Sequence, residues 1–563
     1  MQILTLVFWL AFGAPQQTAN GSVEGTVLRT GTKDPIERVQ VILNPGSPTP
    51  MRALTDKEGH FSFPNVAPGR YTISIQRDGY LVPGSTRSIL IGQSAAEYAA
   101  YMTTYAAALV TVNVGASEHV KGLTYYLVPG GTISGRILDP VGRLSALATV
   151  TALRLSYPAG WPVLEAVKTT TSNDRGEYRM FWLEPGDYIV RAEKLLPTGP
   201  ARAYYPGLSD AANSVKVRVS GGAESPKVDI SIRKDETFRI SGTVTNIVAG
   251  PAPPATARNP VVAGELPAPE VPRFYLSPVD PDEIFDGVWA ATNVLTSAQD
   301  RAAGKFEIRN VRPGYYNLIS VVTDRISSPP RYFVGRTPVE VSFEDVSDLN
   351  LLIAPGRDFR GRIIYSGKVS PPASVRVQLQ PKGILPALPF APSLSAVAEA
   401  DGTFTIPNVP DLPYSISLSG LPKDAYVADL RQGSFSVFDV GMVVPGRRVN
   451  DEFEVIVDSP GANLSGKVTT ADAQVSAGAA VALVPDERRQ ENLLLYRRAT
   501  ASEAGVFSFT GVAPGRYTLF AWENLPLGAE YNAEFRDAFR DDGREITVSP
   551  GDTTVVGLRL ITR

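Results

Sequence analysis

The sequence predicts an all-β protein made of five tandem, seven-stranded antiparallel β-sandwich domains. Three observations carry this prediction: a fivefold internal repeat, apolar and polar residues that alternate with a period of two, and turn residues between the alternating runs. The chain has 563 residues, of which 49 are Gly and 47 are Pro, and 43% are apolar. At roughly 100–200 residues per domain, this length allows about three to five domains.

Two sequence blocks define the repeat. The first is apolar-x-Gly-x-apolar, and its successive glycines are 110, 107, 119 and 105 residues apart. The second is Gly-x-aromatic followed by Pro-Gly-x-Tyr, whose two glycines are ten positions apart in four copies. The fourth copy keeps the register but has Asp411-Leu412 in place of Pro-Gly. The first-block glycines are Gly25, Gly135, Gly242, Gly361 and Gly466, and the second-block tyrosines are Tyr71, Tyr188, Tyr316, Tyr414 and Tyr517.

Each unit contains about seven runs with a period of two. In one of them, Tyr71 and Ile73 face one way and Thr72 the other, which is typical of a strand with one face in a core. Pro-Gly before the tyrosine predicts a type II turn. We expect the tyrosine to bury its ring while its hydroxyl bonds loop backbone, as in a tyrosine corner.

The repeat sets the expected domain borders. Residues 1–20 are expected to be a signal peptide and tail, and short helical inserts are expected near 94–108 and 529–541. In the second insert, aromatic residues recur every four positions from Tyr531 and should face the core. The five sandwiches are predicted at 21–130, 131–235, 236–356 with a Pro-rich insertion at 247–272, 357–461 and 462–563.

The N-terminus indicates export. Ile3 to Ala14 form an apolar block of twelve residues, which suits the apolar region of a secretory signal and is too short to span a bilayer. No Lys or Arg precedes the block, and the alternative is a buried first strand. We predict an exported protein, located in the periplasm, on the outer surface or in the medium, with no integral membrane segment.

Composition excludes several classes of site. The chain has no Cys, which excludes thiol catalysis, disulfides and thiolate metal sites. Its two histidines, His60 and His119, give metal binding and acid–base catalysis few candidates. The net charge of -3, without a basic patch, argues against nucleic-acid binding. We therefore predict no catalytic residue, no metal site and no cofactor.

One segment resembles a known family. Thr55-Asp-Lys-Glu-Gly-His-Phe61, followed by Val66-Ala-Pro-Gly-Arg-Tyr71, is similar to the carboxypeptidase regulatory-like domain. The resemblance extends in tandem over most of residues 21–563 and implies an immunoglobulin- or transthyretin-like β-sandwich. In metallocarboxypeptidases this module accompanies a zinc peptidase domain, whereas this sequence has no His-x-x-Glu pair. The resemblance implies an extracellular accessory or adhesive role, with glycan binding and without peptidase activity.

Three functional hypotheses follow. The leading one is a non-catalytic extracellular protein for binding, adhesion or spacing, whose partners are polysaccharide or other cell-surface proteins. The second is a carbohydrate-binding protein of a nutrient-capture system, and the third is an enzyme with an unrecognised carboxylate site. Sugar binding requires exposed aromatic platforms, and the alternative for each candidate is burial between the sheets. The candidates are Trp161, Trp182, Tyr204, Tyr205, Tyr315 and Trp522.

Overall fold

The fold was analysed in a computed structural model of the chain, which is almost entirely β-structure. The predicted signal peptide, the insert near 94–108 and most of the Pro-rich insertion lie outside the described residues. Among the described residues, no helix has the length and apolar character that a membrane span needs. The structure describes residues 20–44, 49–83, 110–157, 160–197, 199–234, 236–246, 272–279, 304–324, 331–367, 369, 371–382, 394–443, 452–526 and 528–562.

The chain forms two compact units. Unit 1 consists of residues 1–152, 166–192 and 215–231, and unit 2 of residues 153–165, 193–214 and 232–563. We call the five copies of the repeat modules 1 to 5. The domain borders given above stay a prediction.

Module 1 lies in unit 1 and has two four-stranded sheets. Their strand orders are β4-β1-β8-β6 and β3-β2-β5-β7. The apolar residues between them, such as Val27, Phe61 and Ile73, form one buried cluster. The strands are β1 (Gly21–Arg29), β2 (Gln40–Asn44), β3 (Met51–Leu54), β4 (His60–Val66), β5 (Gly69–Gln76), β6 (Tyr80–Leu81), β7 (Val110–Val114) and β8 (His119–Pro129).

Module 2 has the sheet order β12-β9-β16, with β17 also paired to β9. Its other strands follow the order β11-β10-β13-β14-β18, with β15 paired to β13. The strands are β9 (Gly131–Leu138), β10 (Thr149–Ser156), β11 (Val163–Thr171), β12 (Glu177–Leu183), β13 (Gly186–Leu196), β14 (Gly199–Tyr204), β15 (Val217–Val219), β16 (Glu224–Ser225), β17 (Ile230–Ser231) and β18 (Arg233–Lys234).

Module 3 lies in unit 2, and its described strands form one continuous sheet of order β20-β22-β23-β24-β19-β21. The sheet is continuous because β23 pairs with β22 and also, through Phe333 and Val334, with β24. The strands are β19 (Phe238–Asn246), β20 (Arg273–Pro278), β21 (Lys305–Val311), β22 (Gly314–Asp324), β23 (Arg331–Val341) and β24 (Val346–Pro355).

Module 4 has two sheets, of order β28-β25-β33-β30-β31 and β27-β26-β29-β32. The strands are β25 (Arg357–Tyr365), β26 (Arg376–Pro381), β27 (Ser395–Val397), β28 (Thr403–Val409), β29 (Tyr414–Ser419), β30 (Tyr426–Gln432), β31 (Phe435–Ser436), β32 (Met442–Val443) and β33 (Phe453–Asp458).

Module 5 has sheets of order β37-β34-β40 and β36-β35-β38-β39. The helical insert near 529–541 is confirmed as a 3-10 turn (Ala529–Tyr531), helix α1 (Ala533–Asp537) and a second 3-10 turn (Arg540–Asp542). Two further 3-10 turns span Glu487–Arg489 and Leu493–Leu495. The strands are β34 (Ala462–Thr469), β35 (Ala480–Pro485), β36 (Arg497–Thr500), β37 (Val506–Val512), β38 (Gly515–Trp522), β39 (Arg544–Val548) and β40 (Thr553–Arg559).

The five modules share one departure from the predicted antiparallel sheets. The first strand of each pairs antiparallel with the Gly-x-aromatic strand and parallel with a strand at the end of the same module, as in β1 with β8 and β34 with β40. A parallel pair needs a long connection between its two strands, and in each module the intervening strands provide it.

A β-bulge recurs at one position in every module. The register between the first strand and the Gly-x-aromatic strand shifts just before the Pro-Gly site. In four modules the extra residue has a positive φ, between 54° and 63°. These residues are Trp182, Asn310, Asn408 and Gly511.

The predicted type II turn at Pro-Gly is wrong. Such a turn needs a glycine with φ near +80°, whereas φ is 146° at Gly186, 157° at Gly314 and 157° at Gly515. Each of these glycines is the first residue of the strand that carries the tyrosine. The bulge before it already redirects the chain, so no tight turn is required.

Apolar packing in unit 2 extends through several modules. One buried cluster includes Tyr275 of module 3, Phe404 and Phe453 of module 4, and Phe507 and Leu558 of module 5. A second cluster covers the outer face of β38, where Trp522 and Phe539 are buried and Phe535 packs against them. The prediction that the aromatic residues of the 529–541 insert face a core is confirmed.

Candidate functional site

The repeated tyrosines have a structural role. Each hydroxyl donates to the carbonyl oxygen four residues earlier, which lies directly before the Pro-Gly site or its equivalent. The predicted tyrosine corner is therefore confirmed in all five modules. The bonds are Tyr71 to Ala67 (2.8 Å), Tyr188 to Glu184 (2.8 Å), Tyr316 to Arg312 (3.2 Å), Tyr414 to Pro410 (2.9 Å) and Tyr517 to Ala513 (2.8 Å).

The two histidines bond to neighbouring strands. His60 Nδ1 lies 3.0 Å from the hydroxyl of Thr26, and His119 Nδ1 lies 2.8 Å from that of Ser22. Both contacts join strands of one sheet in module 1. Among the described residues, no group of three or more His, Asp or Glu side chains is arranged to hold a metal ion.

Two of the predicted ligand-facing aromatics are buried, which is a correction to the site prediction. Tyr204 at the end of β14 and Trp522 at the end of β38 are almost fully buried. Trp522 stacks on Phe520 with 5.0 Å between ring centroids. Trp522 and Phe539 make an edge-to-face contact. Trp522 belongs to the cluster on the outer face of β38, where the C-terminal insert supplies apolar neighbours, and both side chains are closed to a ligand.

The other predicted aromatics reach the surface at separate places. Trp161 and Tyr205 are partly buried, in the connections that follow β10 and β14. Tyr315 is 61% exposed on β22, and its hydroxyl donates to Glu340 on β23 at 3.1 Å. The hydrogen bond to Glu340 and the charge of that carboxylate raise the pKa of Tyr315. Whether Tyr315 meets a ligand stays a prediction.

A different aromatic pair lies on the surface of module 2. Phe181 and Trp182, at the bulge of β12, are each 46% exposed. Their ring centroids are 5.2 Å apart and the ring planes are nearly perpendicular, at 86°. Lys168, from β11, places its ammonium nitrogen 5.7 Å from the centroid of Phe181 and 5.9 Å from that of Trp182. We call these three residues the aromatic cluster of module 2.

Trp182 occupies a strained backbone position. Its φ is +62°, in the left-handed region that only Gly, and less readily Asn, adopts routinely. The equivalent residues with positive φ are Asn310, Asn408 and Gly511, which suit this conformation. For a residue with a large side chain the cost is about 1–2 kcal/mol. Burial of the other half of the ring contributes about 2 kcal/mol at about 25 cal/mol per Å², which is similar in size to that cost.

A row of polar side chains continues from the aromatic cluster along the same face. Arg179 lies two residues before Phe181 on β12, opposite Ser134 of β9. Its guanidinium donates to Glu224 at 3.0 Å, and the hydroxyl of Ser134 donates to the other oxygen of that carboxylate at 2.5 Å. The bond from Ser134 and the charge of Arg179 lower the pKa of Glu224. Both groups stay solvent-accessible, so the row can exchange partners with polar groups of a ligand.

The sequence identified only part of the aromatic cluster. Trp182 is a candidate by residue type, but Phe181 and Lys168 were missed. Phe181 follows the alternation of β12, with Tyr178 and Met180 buried, and was missed because only Trp and Tyr were considered as platforms. The bulge then puts Trp182 on the surface beside it. Lys168 was missed because it reaches the rings from another strand. Comparing the five bulge positions in the sequence would have marked Trp182 as unusual, because the equivalent residues of the other four modules are three Asn and one Gly.

One known family matches part of module 1. Residues 22–97 match the carboxypeptidase regulatory-like domain family, in agreement with the resemblance carried by the Gly-x-aromatic and Pro-Gly-x-Tyr blocks. The tandem β-sandwich architecture agrees with the predicted fold class. A search of curated proteins found no match.

Several solved structures show a distant likeness to the chain. The minor pilin GBS52 of Streptococcus agalactiae is 14% identical, with 38% of this chain and 97% of that chain covered and a TM-score of 0.19. The shaft pilin SpaA of Lactobacillus rhamnosus GG is 11% identical, with 39% and 99% covered and a TM-score of 0.17. The TIE protein of Bacillus anthracis is 9% identical, with 94% and 99% covered and a TM-score of 0.15.

Proposed function

We propose that the chain is an exported, non-catalytic protein whose tandem β-sandwich modules serve binding, adhesion or spacing outside the cytoplasm. One observation carries the proposal: the same scaffold is repeated five times, and its recurrent polar residues are used to hold each copy together. The tyrosine corners are the clearest case. The match of residues 22–97 to an accessory type of domain also supports it.

The second candidate is binding of carbohydrate. The observation that favours it is the aromatic cluster of module 2, where two half-exposed rings adjoin a row of hydrogen-bonding groups. Sugar rings stack on aromatic faces through their C–H groups, while their hydroxyls need donors and acceptors nearby. Both kinds of group are available within one face of module 2.

The test of non-catalysis is a turnover assay on the purified full chain. Chromogenic peptide, ester and glycoside substrates should be hydrolysed no faster than in buffer. Turnover above buffer that co-purifies with the chain through two chromatographic steps would overturn the proposal. Export is tested separately by fractionating cells of the native host, where the chain should be found outside the cytoplasm.

The test of carbohydrate binding is a glycan array probed with the labelled full chain. Specific signals on a group of related glycans are the expected result. An array without signals above a heat-unfolded control would remove the second candidate and leave adhesion or spacing.

A further inference from the structure

Module 2 keeps a Trp where its fold does not need one. The bulge at this position is built with Asn310, Asn408 and Gly511 in other modules at nearly the same φ. Trp182 adopts that φ although a large side chain disfavours it, and its ring stays half exposed. Residues held in such strained conformations concentrate where a ligand is bound. The exposed half of the ring is therefore available to a ligand at a position that other modules fill with Asn or Gly.

The aromatic cluster also presents a positive charge. Within the described part of the chain, the Lys168 ammonium group contacts the ring faces of Phe181 and Trp182. The nearest row of charges is already neutralised, since Arg179 pairs with Glu224 and Arg136 pairs with Glu177. A ligand that covers the rings therefore meets one cation whose charge is not balanced by a neighbouring carboxylate.

The rings and the cation together define a ligand class. An aromatic face favours the C–H-rich face of a sugar ring, and an ammonium group beside it favours a carboxylate on that ring. The polar row of Ser134, Arg179 and Glu224 lies along the same face and can bond the hydroxyls of the next sugar. The whole chain has a net charge of -3, so it has no general attraction for polyanions.

We propose that the aromatic cluster of module 2 binds an acidic polysaccharide, with a uronic acid ring on Trp182 and its carboxylate paired with Lys168. Phe181 fixes the Trp182 ring through its perpendicular contact. This inference rests on the second proposed function, carbohydrate binding, and adds the site and the class of sugar.

The test is affinity electrophoresis of the full chain in gels that contain polygalacturonate or, separately, the neutral polymer hydroxyethylcellulose. Polygalacturonate should retard the wild-type chain, and the neutral polymer should not. Trp182→Asn installs the residue that modules 3 and 4 already use and should weaken binding at least tenfold. Lys168→Gln should weaken binding several-fold and reduce its dependence on salt.

Two controls separate binding from folding. Trp182→Asn should shift the urea midpoint of unfolding only slightly, because relief of the left-handed strain offsets the loss of the buried half of the ring. Phe343→Ser, at another exposed aromatic residue (85% exposed), should bind polygalacturonate like the wild type. Retardation of Trp182→Asn within twofold of the wild type, with wild-type binding intact, would overturn this site and leave carbohydrate binding standing. Retardation by the neutral polymer alone would overturn the acidic ligand, and failure of the wild type on both polymers and on the array would overturn both proposals.

Discussion

At the residue scale, the buried tyrosines of this protein differ in whether their hydroxyl group is hydrogen-bonded. Tyr517 is buried and donates its hydroxyl proton to the carbonyl of Ala513 at 2.8 Å. Tyr125 is also buried, but its hydroxyl has no hydrogen-bond partner among the described residues. A bonded hydroxyl stabilises the fold by about 1 kcal/mol, whereas an unbonded buried hydroxyl only adds a desolvation cost.

The first prediction concerns the tyrosine corner. Tyr517→Phe should lower the free energy of unfolding by about 1 kcal/mol, because the hydrogen bond is lost and the Ala513 carbonyl keeps no replacement donor. The shift is read from the urea midpoint of the full chain, followed by tryptophan fluorescence. Tyr126→Phe, at an exposed tyrosine, is the control and should change stability by less than about 0.5 kcal/mol. Equal effects in both variants would contradict a role for the corner.

The second prediction concerns the unbonded hydroxyl. Tyr125→Phe should leave the stability of the chain unchanged or raise it by up to about 1 kcal/mol, because a buried polar atom is removed without breaking a bond. Calorimetric melting of the full chain measures the change. A loss of more than about 1 kcal/mol would mean that Tyr125 has a bonded partner in solution.

At the scale of elements, the sequence predicted the scaffold better than its connections. The period of two and the spacing to Tyr71 and Tyr517 were sufficient for the strands and the tyrosine corners, because both depend on neighbours close in the chain. The parallel pairing of β1 with β8 was missed, since it depends on which strands become neighbours across about a hundred residues. The site was only partly predicted for the same reason, since Lys168 approaches from a different strand.

The C-terminal insert shows how one side chain joins two distant segments. Asn532 caps helix α1 by accepting a hydrogen bond from the backbone N–H of Phe535 at 2.7 Å. Its amide also donates to the carbonyl of Gly160 at 3.0 Å, and Tyr157 packs against Phe535 with ring centroids 5.5 Å apart. The two segments are 372 residues apart in sequence and belong to the same unit. The contact therefore holds Tyr157 and Gly160 against the C-terminal insert within unit 2.

The third prediction tests this contact. Asn532→Ala removes the cap, which costs about 1 kcal/mol, and also removes the donor to Gly160. Amide hydrogen exchange of the full chain should become faster over residues 528–543 and 160–165 and stay unchanged in module 1. The control is Asp486→Ala, which removes the cap of the exposed 3-10 turn Glu487–Arg489 and should act only there. Unchanged exchange at 160–165 would show that the contact does not hold the connection.

At the scale of the whole molecule, buried tyrosines make the stability of both units depend on pH in the alkaline range. Burial raises the pKa of Tyr125 in unit 1 to about 12. Burial likewise raises the pKa of Tyr157 and of Tyr517 in unit 2 to about 12. An unfolded tyrosine titrates near pH 10, so between about pH 10 and 12 the folded chain keeps protons that the unfolded chain releases.

The fourth prediction follows from the sign of that difference. Since the folded pKa lies above the unfolded value, this stabilisation is complete below about pH 10 and is lost as the pH rises towards about 12. Urea midpoints should therefore stay level from about pH 8 to 10 and then fall steeply, together with a rise of tyrosinate absorbance. Tyr125→Phe should make the fall shallower, because one of the shifted groups is removed. If the tyrosines of the folded chain titrated together near pH 10 without loss of stability, the burial described for Tyr125, Tyr157 and Tyr517 would not hold in solution.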